Sequence, residues 1–62
     1  MRRGLKIGDL LVEDLMHRKE IYLVVDFRTD NYYDVCMVCL GTMNLDWYAK
    51  ESTSGLEILS EI

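Results

Sequence analysis

Short apolar runs with a period of two dominate this chain. Over residues 21–28, "IYLVVDFR", the set Ile21, Leu23, Val25 and Phe27 alternates with Tyr22, Val24, Asp26 and Arg28. Successive side chains of a strand point to opposite faces, so the pattern predicts a strand with the first set inward and the second outward. "GDLLVED" (8–14) alternates Leu10 and Val12 against Leu11 and Glu13. "LDWYA" (45–49) groups Leu45, Trp47 and Ala49 opposite Asp46 and Tyr48, and "LEIL" (56–59) places Leu56 and Ile58 inward and Glu57 outward. "YDVCMVCLG" (33–41) is apolar on both faces, as a central barrel strand can be, and its burial register stays open.

The connections fit the same scheme. "LMHRKE" predicts a longer loop after the first strand, "TDN" (29–31) carries the Asp and Asn that turns favour, and "GTMN" (41–44) predicts a tight hairpin. "ESTSG" (51–55) suits one turn of 3-10 helix ended by Gly55. A helical rival exists over residues 9–19, "DLLVEDLMHRK", where apolar residues fall near i, i+3 and i+7. Period alone does not separate the two for so short a segment. Taken together, the runs predict an all-β fold: a small five-stranded SH3-like barrel with a short 3-10 turn before the last strand. Such a sheet avoids open edges by curling on itself.

At 62 residues the chain is expected to be a single domain, residues 1–62, with residues 1–6 a flexible basic N-terminus. A chain this short buries only about 60% of the surface that its unfolded form exposes. Half of its residues are hydrophobic and 29% are charged, which is a globular composition, and it has no proline. The longest apolar run, "VCMVCL" (35–40), is too short to cross a bilayer, and Asp9, Glu13 and Asp14 interrupt the N-terminal apolar stretch where a signal peptide would be continuous. With two thiols and no disulfide framework, the expected compartment is the reducing cytoplasm. Net charge is −4, and the bases gather at Arg2, Arg3, Lys6 and at Arg18, Lys19. No long basic face results, so nucleic acid ranks below a protein as the expected partner.

With these residues in place, the chain resembles a type of small SH3-like protein common in tailed bacteriophage genomes. The likeness runs through Gly8-Asp9-Leu10-Leu11-Val12, Ile21 to Val25, Gly41, Trp47 and Leu56-Glu57-Ile58-Leu59-Ser60. It covers nearly the whole chain in short, degenerate pieces. It implies the SH3-like fold, a viral origin and a host-cytoplasmic location, and it carries over no catalytic residues. Two departures stand out. Val38-Cys39-Leu40 replaces the usual aromatic and polar residues before the turn glycine. The "ALYDY"-like stretch and late proline of proline-peptide-binding SH3 domains are missing, so that binding mode does not transfer.

The residues with chemical potential are few. Cys36 and Cys39 have CxxC spacing, but Met37 and Val38 favour extended structure. On a strand, i and i+3 face opposite sides, about 10 Å apart, beyond the roughly 7 Å limit of a disulfide. A structural zinc site needs four ligands, and no second CxxC exists. Buried thiols acting as small hydrophobes are therefore expected, with no metal and no cofactor. His17, the single histidine, has no readable nucleophile beside it, and the glycines are isolated. No arrangement meets the requirements of an enzyme. Phe27 and Trp47 are assigned to the core. Tyr22, Tyr32, Tyr33 and Tyr48, with Arg28, are the candidate partner-binding residues, because tyrosine combines an apolar ring with a polar tip and is favoured at interfaces. The expected function is a non-catalytic protein-interaction module, a phage accessory factor binding a host or virion protein. The alternatives are a nucleic-acid-associated barrel, using Arg2, Arg3, Lys6, Arg18 and Lys19, and a virion component or homo-oligomer built through an edge strand and exposed Met43 or Leu59.

Overall fold

The computed structural model of the chain describes residues 4–59. Arg2 and Arg3 of the basic N-terminus and Ser60 of the C-terminal motif lie outside the described residues. Strands β1 (Leu10–Asp14), β2 (Lys19–Phe27), β3 (Val35–Cys39) and β4 (Asn44–Tyr48) are followed by a 3-10 helix (Lys50–Gly55) and β5 (Glu57–Ile58). They form one antiparallel sheet in the order β4-β3-β2-β1-β5. The all-β class and the 3-10 turn before the last strand are as expected from the sequence. The sheet is not closed: β4 and β5 are its two edges.

The helical rival over residues 9–19 does not form; the segment is strand, turn and strand. The expected longer loop there is also absent. Leu15 and Arg18 exchange backbone hydrogen bonds at 2.8 and 3.3 Å, so Met16 and His17 alone make the turn. Pairing of Asp14 with Lys19 absorbs the residues assigned to a loop. The longer connection is the β2–β3 loop, residues 28–34.

Strand pairing sorts the side chains onto two faces. The inner face carries Leu11, Tyr22, Cys39 and Asn44 in one row, Val24, Met37 and Asp46 in a second, and Phe27, Val35 and Tyr48 in a third. Glu13 and Glu20 form a short fourth row. Leu11, Val24, Val35 and Met37 are fully buried there, and Leu5, Tyr22, Phe27, Tyr48, Leu56 and Ile58 pack against them. The outer face carries Leu10, Leu23, Val38 and Leu45, then Val12 and Ile21, with Asp26, Cys36 and Trp47 at one end and Asp14 and Lys19 at the other.

This phase corrects the sequence expectation in two strands. Ile21 and Leu23 were expected inward and Tyr22 and Val24 outward, yet Val24 is 1% exposed in the core. The reason is a β-bulge: Val24 pairs with Met37 and Asp26 with Cys36, leaving Val25 as an extra residue. An extra residue inverts the phase beyond it. Tyr22 and Val24 before the bulge and Phe27 after it therefore all face inward. In β4, Trp47 and Leu45 face outward and Tyr48 and Asp46 inward, again opposite to the expectation. Leu56 and Ile58 pack on the core, as their pattern predicted.

Two turns depend on unusual backbone. In residues 6–9 the Asp9 N–H donates to the Lys6 carbonyl at 3.1 Å, and the Lys6 N–H donates to the Asp9 carboxylate at 2.7 Å. Gly8 sits third in this turn with φ +95°, a conformation natural to glycine. Its N–H donates to the Val24 carbonyl at 2.8 Å, and the Val24 N–H donates to the Asp9 carbonyl at 2.9 Å, so the turn docks directly on β2. Met43, with φ +59°, closes the β3–β4 hairpin by donating its N–H to the Cys39 carbonyl at 2.6 Å.

These two positions should respond oppositely to substitution. Gly8→Ala should lower the unfolding free energy by about 1–2 kcal/mol, because alanine is strained at positive φ. Met43→Gly should raise it by up to about 1 kcal/mol, since the same strain is relieved at an exposed site. Urea denaturation of the two variants beside the parent measures both.

Candidate functional site

The inner face is only partly covered. Leu5 and Leu56 close the apolar part of it. Where Glu13, Glu20, Asn44 and Asp46 replace apolar residues, the face opens into a cleft of about 320 Å³. Tyr22 and Tyr48 stand in its wall, Cys39 lies in it, and Arg18 reaches in from the β1–β2 turn. A smaller depression of about 90 Å³ shares Glu13, Tyr22 and Tyr48 and continues to Met37, Thr53 and Leu56. The two hollows thus form one groove that is acidic at one end and apolar at the other.

The groove is held by specific contacts. The Tyr22 hydroxyl donates to Glu13 Oε1 at 3.1 Å, and the Tyr22 and Tyr48 rings meet edge to face at 5.9 Å. Such a contact stabilises by about 0.5–1.5 kcal/mol beyond the area it buries. The Cys39 thiol donates to Glu20 Oε2 at 3.3 Å, and Arg18 Nε donates to Glu20 Oε1 at 2.6 Å. A Cβ on Gly41 would lie 3.2 Å from Glu20 Oε2, so the hairpin glycine leaves room for this carboxylate.

Electrostatics follow from these neighbours. Burial, then the Glu13 carboxylate, pushes the Tyr22 hydroxyl up to about 12. Burial, then Asp46, also raises that of Tyr48. The thiol of Cys39 and then Arg18 hold Glu20 below the usual carboxylate range. The groove therefore presents neutral phenols beside anionic Glu20, with Glu13 and Asp46 alongside. Tyrosine rings beside carboxylates suit a cation.

The five candidate tyrosine and arginine residues fall into two groups. Tyr22 and Tyr48, expected on outward faces, lie in the groove and partly in the core. Tyr32 and Tyr33 are at the tip of the β2–β3 loop, 65% and 53% exposed, with their rings edge to face at 5.0 Å. Arg28 anchors this loop: its Nε donates to the Tyr33 carbonyl at 2.8 Å, and its guanidinium lies 4.2 Å over the Trp47 ring. Trp47 is therefore not a core residue as expected, but a half-buried outer residue beneath a cation. Phe27 does pack on the core. The groove carboxylates Glu13, Glu20 and Asp46 were not singled out from sequence. Their only signal is acidic residues at inward strand positions, readable once the phase is known.

Cys36 and Cys39 are free, both buried, and on opposite faces, as the strand reading predicted. Burial raises the Cys36 thiol. His17 is exposed in the β1–β2 turn. Among the described residues no group of three or more His, Cys, Asp or Glu side chains converges as metal ligands would. No helix of the described residues is long and apolar enough to cross a membrane. Comparison with protein-family models, curated proteins and solved structures yields no match.

The raised Tyr22 hydroxyl has a consequence at alkaline pH. Between pH 10 and about 12 the folded chain keeps a proton that the unfolded chain has released. The folded state then binds more protons, so stability falls as pH rises through this window and is complete below it. Tyr22→Phe removes the titrating group. Its urea midpoint should decline less across the window than the parent's; parallel declines would contradict the assignment.

Proposed function

We propose that this protein is a non-catalytic protein-interaction module whose inner groove receives a basic side chain of its partner. The observation that carries the reading is the pairing of two tyrosine rings with Glu13, Glu20 and Asp46 in one open groove. A lysine or arginine stem would lie along the rings, and its charge would meet the carboxylates. The apolar end by Met37 and Leu56 would take a neighbouring apolar side chain of the same segment. The tagging of Glu20 by Arg18 reduces the net negative charge but leaves Glu13 and Asp46 facing the opening.

The chemistry favours binding over catalysis. A general acid at neutral pH needs a raised carboxyl, and Glu20 is shifted the other way. The acidic lining also disfavours a phosphate backbone at this groove. The short 3-10 helix before β5 supports an SH3-like architecture, and the tight β1–β2 turn weighs against a conventional one. In keeping with the phage resemblance, the partner is a host or virion protein and the site of action is the host cytoplasm.

The test is amide NMR titration with short peptides bearing one lysine or arginine, beside the same peptides with acetylated lysine. Basic peptides should shift Glu13, Tyr22, Asp46 and Tyr48, and the acetylated ones should not. Asp46→Asn combined with Glu13→Gln should weaken binding roughly tenfold or more, and added salt should weaken it further. Shifts confined to Tyr32 and Tyr33 would place recognition on the β2–β3 loop instead.

A further inference from the structure

The outer face of the sheet is covered at one end, where Cys36 is buried and Arg28 lies over Trp47, and is open along its apolar rows, where Leu40, Leu45 and Leu59 are exposed. Leu59, one residue beyond β5, donates its N–H to the Leu10 carbonyl at 2.7 Å and extends the row Leu10, Leu23, Val38 and Leu45. Leu40, whose N–H donates to the Ile21 carbonyl at 2.9 Å, extends the row Ile21 and Val12 on one side, and Glu57 of β5 ends it on the other. Leu45 and Leu59 are 59% and 56% exposed, whereas the residues packed on the core cluster belong to the inner face and its cover. A sheet apolar on both faces and covered on one is what a sheet-on-sheet interface requires.

We infer that this outer face is the contact between two copies of the chain, packed sheet on sheet about a two-fold axis that sets the β2 strands antiparallel. Charge fixes the choice of axis. β2 carries Lys19 at one end of the outer face, beside Asp14 of β1, and Asp26 at the other, with the apolar rows between them. An axis across the strands puts Lys19 of each copy opposite Asp26 of the other. An axis along the strands would put Lys19 against Lys19 and Asp26 against Asp26, which repels. Size permits the contact: the molecule measures 35 × 28 × 19 Å, so its broad side matches the roughly 800 Å² per partner of a standard interface. Association through the β4 edge is less favoured, because Asp46 Oδ1 already accepts the Trp47 N–H at 2.8 Å and occupies part of that edge. The inner groove remains outside the contact, so this pairing is independent of what the groove binds.

Sedimentation equilibrium of the parent, Leu45→Glu, Lys19→Asp and the double variant Lys19→Asp/Asp26→Lys tests it, with circular dichroism confirming each fold. The parent should sediment at twice its 7.3 kDa monomer mass. Leu45→Glu, at an already exposed position, should be monomeric. Lys19→Asp should weaken the dimer about tenfold, and the double variant should restore it. A parent that stays monomeric up to about 1 mM overturns the inference, as does one that instead cosediments with neutral lipid vesicles. A dimer untouched by Leu45→Glu overturns the choice of face. Failure of the double variant to restore the dimer that Lys19→Asp weakens overturns the antiparallel axis.

Discussion

One extra residue in β2 decides which side chains meet. Without the bulge at Val25, strict alternation would carry either Val24 or Phe27 to the outer face. With it, Tyr22, Val24 and Phe27 all face inward and contact the same core as Leu11, Val35 and Met37. Tyr22, on the same inner face, meets Tyr48 across β3, which builds the wall of the groove. Asp26, placed outward next to the bulge, supports the local backbone by accepting the Phe27 N–H at 2.8 Å. Core and groove thus depend on one local departure from strand regularity.

The same departure explains what was legible in the sequence. The five strands and the inward Leu56 and Ile58 could be read from the apolar pattern and the turn residues between the runs, and the 3-10 turn from the Ser, Thr and Gly of residues 51–55. The phase of β2 could not. Residues 21–25 are apolar on both faces, so only Asp26, Phe27 and Arg28 distinguish in from out, and these lie beyond the bulge. Reading their phase back through Val25 inverts every residue before it. β4 misled for another reason. Asp46 faces inward because the inner face there is an open groove, and Trp47 faces outward because Arg28 covers it. Polarity marks solvent exposure, and here both faces offer some.

The groove carries a cost for so small a domain. Glu13 and Glu20 oppose each other across β1 and β2, a like-charge pair that sheets disfavour. The structure answers it locally: Glu13 accepts the Tyr22 hydroxyl, and Glu20 takes the Cys39 thiol and the Arg18 guanidinium. Every buried side-chain nitrogen or oxygen among the described residues has a hydrogen-bond partner. Asp9 and Thr53, the two buried polar residues among those described, serve turns: Asp9 closes residues 6–9, and Thr53 Oγ1 donates to the Lys50 carbonyl at 2.7 Å.

The sheet order also carries a kinetic meaning. From β1 to β4 each strand pairs with the next along the chain, through short connections, so these contacts close inexpensive loops and can form early. β5 alone must return across the molecule, and it does so with two residues. The weakest cooperative unit of the fold is therefore its C-terminal strand, and native-state hydrogen exchange would find it opening before the rest. When it opens it bares the backbone of β1 beside the fully buried Leu11. Only a two-residue strand stands between that edge and a neighbouring chain.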